Sequence, residues 1–360
     1  MNCFRFFFFL FIPRLLFAQV EYVHNSNGGD SEFVSMTTTV NSIVLAGNTT
    51  EKFSYTASGM LLELDGKGDT LWTHKLTSEE ESSVVDVVSW RGSLLVLSRE
   101  NGETVVSLFN SERQVVWSYR VPDVEQPVAL YRVSEHEYVV MGIGRSQTAE
   151  EKKDALFLLP VNFEGKTEAL IEALAGEQLK PYGLVASSKG DIYVVGTQRM
   201  ENGQEAFLWS FSGKGKKKQE VSLTKLRFKY PFAVEIDAHD DLLIGGEDIE
   251  GVAYVAKMDP GGNMLWEQSL EGAAGNFRVY SISASDDNTF YAVGRKSEAK
   301  AFLSHFDKDG NSLGYLEFDG LGKAGFKKVV VDNNKVIAAG TTLNAKSRSS
   351  GFVIQLTDIK

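Results

Sequence analysis

The sequence predicts an all-β chain: a seven-bladed β-propeller of four-stranded antiparallel blades, closed by its own N-terminal strand. Three observations carry that expectation. A short apolar run ending in a small residue recurs about every 50 residues, a tight turn leading to an aromatic follows several of the runs, and one strand is left over at each end of the chain.

The runs are IVLAG ending at Gly47, LLVLS at Ser98, YVVMG at Gly142, IYVVG at Gly196, LLIGG counted at Gly245, FYAVG at Gly294 and VIAAG at Gly340. Their steps of 51, 44, 54, 49, 49 and 46 residues match one propeller blade each. After each run and a polar loop comes a second apolar stretch and then a turn. MLLELDGKGDTLW ends at Trp72, VVSLFNSERQVVW at Trp117, AYVAKMDPGGNMLW at Trp266 and AFLSHFDKDGNSLGY at Tyr315. Asp, Asn and Gly in these turns supply the positive φ that tight hairpins require. A further strand precedes each run from the second onward: VVDVVSW, PVALYRVS, YGLVASS, FAVEID, VYSISAS and FKKVVVD. Four antiparallel strands per unit make a blade, and inner strands are expected to begin near Phe33, Ser83, Pro127, Pro181, Tyr230, Val279 and Phe326.

The seventh unit stops short. After GFVIQL the chain ends at Lys360 without an outer strand, while VEYVHN, Val20 to Asn25, has no unit of its own and carries Tyr22 near the Trp position. Pairing Val20 to Asn25 beside Phe352 to Leu356 closes the ring and removes an exposed strand edge. Two units depart from the pattern. TEALIEALAGEQ, Thr167 to Gln178, is rich in helix formers but has the register of an outer strand. SGKGKKKQEVSL, Ser212 to Leu223, replaces the Trp with polar residues and predicts the least well packed outer strand.

Residues 1–18 read as a signal peptide. Arg5 precedes the apolar run Phe6 to Ile12, and Leu16-Phe17-Ala18 places a small residue before Gln19, so cleavage is expected after Ala18. The run is shorter than the roughly 20 residues that span a bilayer. Residues 19–360 then form a single propeller domain that is secreted or held in the periplasm or cell envelope, with no integral membrane segment. The sole cysteine, Cys3, leaves with the leader, so the mature chain has neither disulfide nor thiolate chemistry. Losing Arg5 and Arg14 takes the net charge from −11 to −13. That balance argues against a nucleic-acid partner, whose phosphates it would repel.

The turn D/N-x-x-G-x-x-x-W after a V-x-G strand resembles bacterial secreted β-propeller repeat proteins of the quinoprotein-like (PQQ-like repeat) group. Asp65, Gly68 and Trp72, and Asp259, Gly262 and Trp266, carry the likeness. It lacks the Gly-His and Trp-Asp pairs of WD40 repeats. Membership would imply the fold and an extracytoplasmic setting, and leave the activity open.

Chemistry is sparse. The turn tryptophans read as packing between blades. Asp307, Asp309 and Asn311 have the spacing of a calcium-loop start, but the sixth and twelfth positions lack Gly and Glu. The Gly213 to Lys218 loop leads into a strand, unlike a phosphate loop. His24, His74, His136, His239 and His305 are scattered singly. No catalytic, metal or cofactor set emerges. Asp86, Glu235, Lys327 and Lys328 are the charges on inner strands, and Arg145, Arg199 and Arg295 follow the glycine runs at one rim, where they could meet an anion or an acidic glycan. The expected function is a monomeric binding or scaffold module for protein or glycan partners at the loop face. The alternative is a glycan- or lactone-active hydrolase, which needs carboxylates or histidines converging at the central channel.

Overall fold

The computed structural model describes residues 17–23, 29–52, 54, 56–76, 80–149, 153–270, 277–296, 300–318, 323–343 and 348–357. These residues form a seven-bladed β-propeller of four-stranded antiparallel sheets. One 3-10 turn, Thr224–Leu226, is the only helical element among the described residues. No helix there is long and apolar enough to cross a membrane.

The inner strands, blades 1 to 7, are Asp30–Thr38, Ser82–Trp90, Gln126–Arg132, Lys180–Ala186, Phe228–Ile236, Arg278–Ala284 and Lys323–Asp332. Within each blade the chain runs outward through three more strands. In blade 1 these are Ser42–Thr50, Ala57–Asp65 and Thr70–Lys75, and in blade 4 Ile192–Met200, Gly203–Phe211 and Lys217–Ser222. Ile171–Gly176 is the outer strand of blade 3, so the helix-forming segment takes the strand its register implied.

Blade 7 is completed as expected. Lys335–Leu343 and Ser349–Thr357 are its second and third strands, and Phe17–Val23 is its outer strand. Val20 faces Gln355, Tyr22 faces Val353 and Val23 faces Phe352. The pairing starts at Phe17, earlier than expected, while His24 and Asn25 lie outside the described residues. Cleavage after Ala18 would keep the Val20 to Val23 pairs and remove those of Phe17 and Ala18.

The middle strands read as unbroken apolar runs because both their faces are covered. Leu95 and Leu97 pack with Tyr138, Val140 and Phe157 of blade 3. Leu94 and Val96, pointing the other way, pack with Val44, Ala46 and Leu61 of blade 1. Seven such cores lie one in each gap between blades. The gap between blades 7 and 1 is filled by Ile337, Ala339 and Val353 against Phe33, Met36 and Leu45, so the ring closes through side chains as well as strands. Each fully buried Leu or Phe contributes about 1.5–3 kcal/mol.

The glycine of the run has a steric cause. Every inner strand carries a bulge beside it, which throws a backbone carbonyl of the inner strand onto the second strand. A Cβ on Gly246 would lie 1.9 Å from the Tyr230 carbonyl oxygen, and one on Gly294 1.8 Å from that of Arg278. In blade 5 the residue in this register is Gly246, facing Pro231, rather than the neighbouring Gly245.

The turn tryptophans pack between blades, as predicted. Trp117 Nε1 donates to the Phe163 carbonyl at 3.3 Å and Trp266 Nε1 to the Lys308 carbonyl at 3.0 Å, each in the next blade's turn. In blade 4 Gln219 takes the Trp register, and its Nε2 donates to the Gly261 carbonyl at 2.7 Å. The polar strand is therefore docked like its neighbours, and its exposed and half-buried positions follow those of the outer strand of blade 1 from Lys217 to Val221. Tyr315 stands one residue beyond that register, which Gly314 occupies, and Tyr22 stands two beyond it.

Candidate functional site at the channel mouth

The inner-strand bulges beside the glycine runs place one unpaired residue per blade between ladder partners, Val34, Val85, Val128, Tyr182, Phe232, Tyr280 and Lys327, and a second bulge in blade 5 leaves Lys229 unpaired as well. All seven occupy the same level, at the end of the channel where the inner strands begin and the glycine runs finish. The ring is asymmetric: blades 1 to 3 contribute valine, blades 4 to 6 an aromatic, and blade 7 a lysine.

The aromatic half is continuous. Tyr182 meets Phe232 edge to face at 5.1 Å, Phe232 meets Tyr280 at 5.5 Å, and Lys327 Nζ lies 4.3 Å from the centre of the Tyr280 ring. Tyr230 stacks on Phe232 at 5.7 Å. All four rings are half-buried, presenting part of their surface to the mouth. The contacts run through four successive blades, so the crescent follows the rim of the axial opening.

Cations surround it. The Arg278 guanidinium lies 5.6 Å from the Phe232 ring centre, and Lys229 Nζ 5.4 Å from that of Tyr230. Both pair with Glu247, which is 2% exposed. Arg278 Nε donates to Glu247 Oε2 at 2.6 Å, and Lys229 Nζ lies 3.6 Å from Oε1. Burial works against the Arg278 charge, but hydrogen bonds to Glu247 and Tyr280 outweigh it and raise its pKa. Lys327 is exposed and makes no ion pair with a described residue.

The charged residues expected on inner strands divide three ways. Asp86 is spent on structure: its Oδ1 accepts from Ser35 Oγ of blade 1 at 2.5 Å and from the Val87 amide at 2.9 Å, and its Oδ2 accepts from the Leu130 amide of blade 3 at 2.9 Å. Glu235 faces the channel three residues deeper than Phe232. Burial lifts its carboxyl above the usual range, against the Ile236 amide and the charge of Lys328 in blade 7. Tyr131 of blade 3 is pushed up by burial and then by the Glu235 charge. Lys327 belongs to the mouth.

The three rim arginines do not converge. Arg145 pairs with Asp154 of its own blade at 2.7 Å. Arg199 lines an open depression between blades 3 and 4 of about 400 Å³, with Lys153, Glu177 and Met200. Arg295 lays its aliphatic stem within 3.2–3.4 Å of where a Gly325 Cβ would stand, next to the Lys327 strand. Asp307 accepts the Asp309 and Asn311 amides of its own turn. His74 stacks on Trp72 at 5.5 Å and His305 on Tyr291 at 4.1 Å, while His136 and His239 are exposed and His24 lies outside the described residues. Among the described residues no three His, Cys, Asp or Glu side chains gather as a metal site.

Sequence reasoning missed the crescent. Its signal was present as the residue after the one that faces the glycine of the run, in Pro181-Tyr182, Pro231-Phe232, Val279-Tyr280 and Phe326-Lys327, once the seven units are aligned on the bulge.

No family model matches the chain, and no curated protein matches it in sequence. Solved structures match its fold. A protein of unknown function from Dyadobacter fermentans is 12% identical with a TM-score of 0.58, covering 95% of this chain and 99% of that one. The polysaccharide lyase Uly1 is 10% identical with a TM-score of 0.60, over 91% and 90% of the two chains. The endosialidase of phage phi92 is 7% identical with a TM-score of 0.55, over 95% and 69%. At these identities the likeness is one of fold, and the chain belongs structurally among seven-bladed β-propellers.

Proposed function

We propose that the chain is an exported binding module that takes a glycan at the aromatic half of its channel mouth. The observation that carries this is the unbroken crescent Tyr182, Phe232, Tyr280 and Lys327, four successive blades offering ring faces and a cation at one level. Ring faces of this kind stack against the CH surfaces of sugars, and the surrounding phenols, amides and cations supply directional bonds. In this reading residues 1–18 are removed, residues 19–360 act as a monomer in the periplasm, cell envelope or medium, and kinship with quinoprotein-like repeat proteins is confined to the turns. Two structurally similar proteins bear the names of an endosialidase and a polysaccharide lyase, in keeping with a glycan-facing role.

A panel of polysaccharides tested by affinity electrophoresis decides it. The wild type is retarded by at least one glycan, and Phe232→Ala, checked for an unchanged far-UV spectrum, loses about tenfold or more in affinity. Retention by none, or equal retention of Phe232→Ala, refutes the reading.

A hydrolase with its site in the channel is the second reading, favoured by the Glu235 carboxyl, whose pKa burial raises above the ordinary carboxylate range. Asp86, the other candidate acid, is held by three hydrogen bonds, two of them from the neighbouring blades. Turnover of any retained glycan that disappears in Glu235→Gln, with binding intact, would establish this reading over the first.

A further inference from the structure

We infer that the mouth selects glycans carrying carboxylates, with Lys327 as the residue that reads the anion. The inference rests on the glycan reading above and adds the class of sugar. Lys180, Lys229, Arg278 and Lys327 stand on or beside the aromatic half of the ring, on the strands that carry the crescent. Arg295 adjoins them through Gly325. Among the described residues one carboxylate, Glu247, lies with them, and it is buried beneath Arg278 and Lys229. Among the described residues the local balance is therefore positive, on a chain whose net charge is −11.

The scale of screening makes that local balance decisive. At physiological salt the Debye length is about 8 Å, so distant acidic surface is hidden from a ligand seated at the mouth. A cation in contact with the ligand is not. Lys327 is the member that touches the crescent without an ion pair among the described residues: its ammonium rests over the Tyr280 ring at 4.3 Å. A sugar stacked on Tyr280 or Phe232 brings a ring carboxylate to that ammonium, and Arg278 can offer a second donor once Glu247 has fixed its orientation.

An acidic peptide would answer the same charges, but the backbone disfavours it. A peptide adds to a sheet through an uninterrupted edge. Each inner strand here is bulged at the mouth level, which breaks the row of edge amides and carbonyls where a peptide would pair. The crescent thus offers ring faces and point charges without a template for strand addition.

Calorimetric titration of the mature chain tests this with polygalacturonate, alginate and polysialic acid as acidic probes. Malto-oligosaccharides serve as the neutral probe and polyglutamate as the peptide probe. At least one acidic glycan binds about tenfold or more tightly than the neutral one, and its affinity falls as salt rises from about 0.01 to about 1 M, where the Debye length shrinks from about 30 to about 3 Å. Lys327→Gln, with unchanged melting temperature, loses about tenfold on that acidic glycan and nothing on the neutral one. Phe232→Ala weakens both. Neutral binding as tight as acidic, or an unaffected Lys327→Gln, overturns the anionic selection and leaves glycan binding standing. Polyglutamate binding as tightly as the acidic glycans overturns the glycan class, and binding of none of the saccharides overturns both.

Discussion

Glu63 and Arg113 join blades 1 and 2 away from the mouth, and replacing Glu63 with Gln gives a sharp test of how the ring is held. Arg113 Nε donates to Glu63 Oε2 at 2.7 Å and Nη2 to Oε1 at 2.6 Å, a two-point fork, and Ser42 Oγ adds a third bond at 2.5 Å. Both side chains are nearly enclosed, at 11% and 9% exposed. Gln keeps the shape but removes the charge, leaving Arg113 with the Gly92 carbonyl at 2.6 Å and the face of Trp72. Breaking one side of a buried pair costs about 3–5 kcal/mol, and these remaining partners place this case near 3. Unfolding entropy of about 2.1 cal/mol/K per residue over 360 residues gives roughly 0.75 kcal/mol/K, so the melting temperature should fall by about 4 °C at pH 7. Burial raises the Glu63 carboxyl, but the bonds from Arg113 and Ser42 and the Arg113 charge outweigh it, and the net shift is downward. A lowered folded-state pKa stabilises the fold above the unfolded value of about 4.3. That contribution is lost as pH falls through the folded value, so the gap between wild type and Glu63→Gln closes in acid. Calorimetric scans at pH 7 and near pH 3 measure it. A fall under about 1 °C at neutral pH, or a gap that persists in acid, refutes the reasoning. Glu63→Leu with Arg113→Met restores stability to within about 1 kcal/mol, because an apolar pair carries no desolvation cost.

A chain beginning at Gln19 should melt cooperatively, whereas one beginning at His24 loses the pairs from Val20 to Val23, exposes the edge of Ser349–Thr357 and aggregates on light scattering. Gly246→Ala drives a Cβ into the Tyr230 carbonyl, which cannot yield as a side chain would; the cost is about 3 kcal/mol, and displacement of Tyr230 and Phe232 weakens glycan binding in the same variant. Glu235→Gln should melt higher than wild type at neutral pH. Its carboxyl pKa is raised by burial, so wild-type stability falls as pH climbs from the unfolded value toward the folded one, and the two proteins converge near pH 4. An unchanged melting temperature at pH 7 would place Glu235 in bulk-like water.

The fold was legible because each blade repeats the same two physical demands. A second strand covered on both faces must be apolar throughout, as at Leu94 to Leu97. The carbonyl thrown out by the bulge selects a glycine in six of the seven blades, as at Gly294, with Ser98 taking the position in blade 2. Closure was legible because a lone strand at one end complements an incomplete blade at the other, although the pairing begins at Phe17 rather than at Val20. Position within the register was harder. The counted Gly245 is off by one, and Gln219 docks the outer strand expected to be the least well packed, in blade 4, because an amide N–H can donate where an indole would.

The site was hidden for a related reason. Alternation assigns strand residues to one gap or the other, but a bulge inserts a residue that belongs to neither, and its direction cannot be read without the ladder. Nothing in the alternation therefore set Tyr182, Phe232 and Tyr280 apart or placed them at one level. Arg145, chosen for its place on the rim, is matched by Asp154, whereas Lys327, which the sequence offered only as channel lining, lies at the end of the crescent.

The central claim is where a glycan sits, and a crystal structure of the mature chain soaked with an oligogalacturonate tests it most directly. The account predicts sugar rings against Tyr182, Phe232 and Tyr280, with a carboxylate within hydrogen-bond distance of Lys327 Nζ. A sugar bound elsewhere with the mouth empty, for instance in the depression beside Arg199, would contradict it.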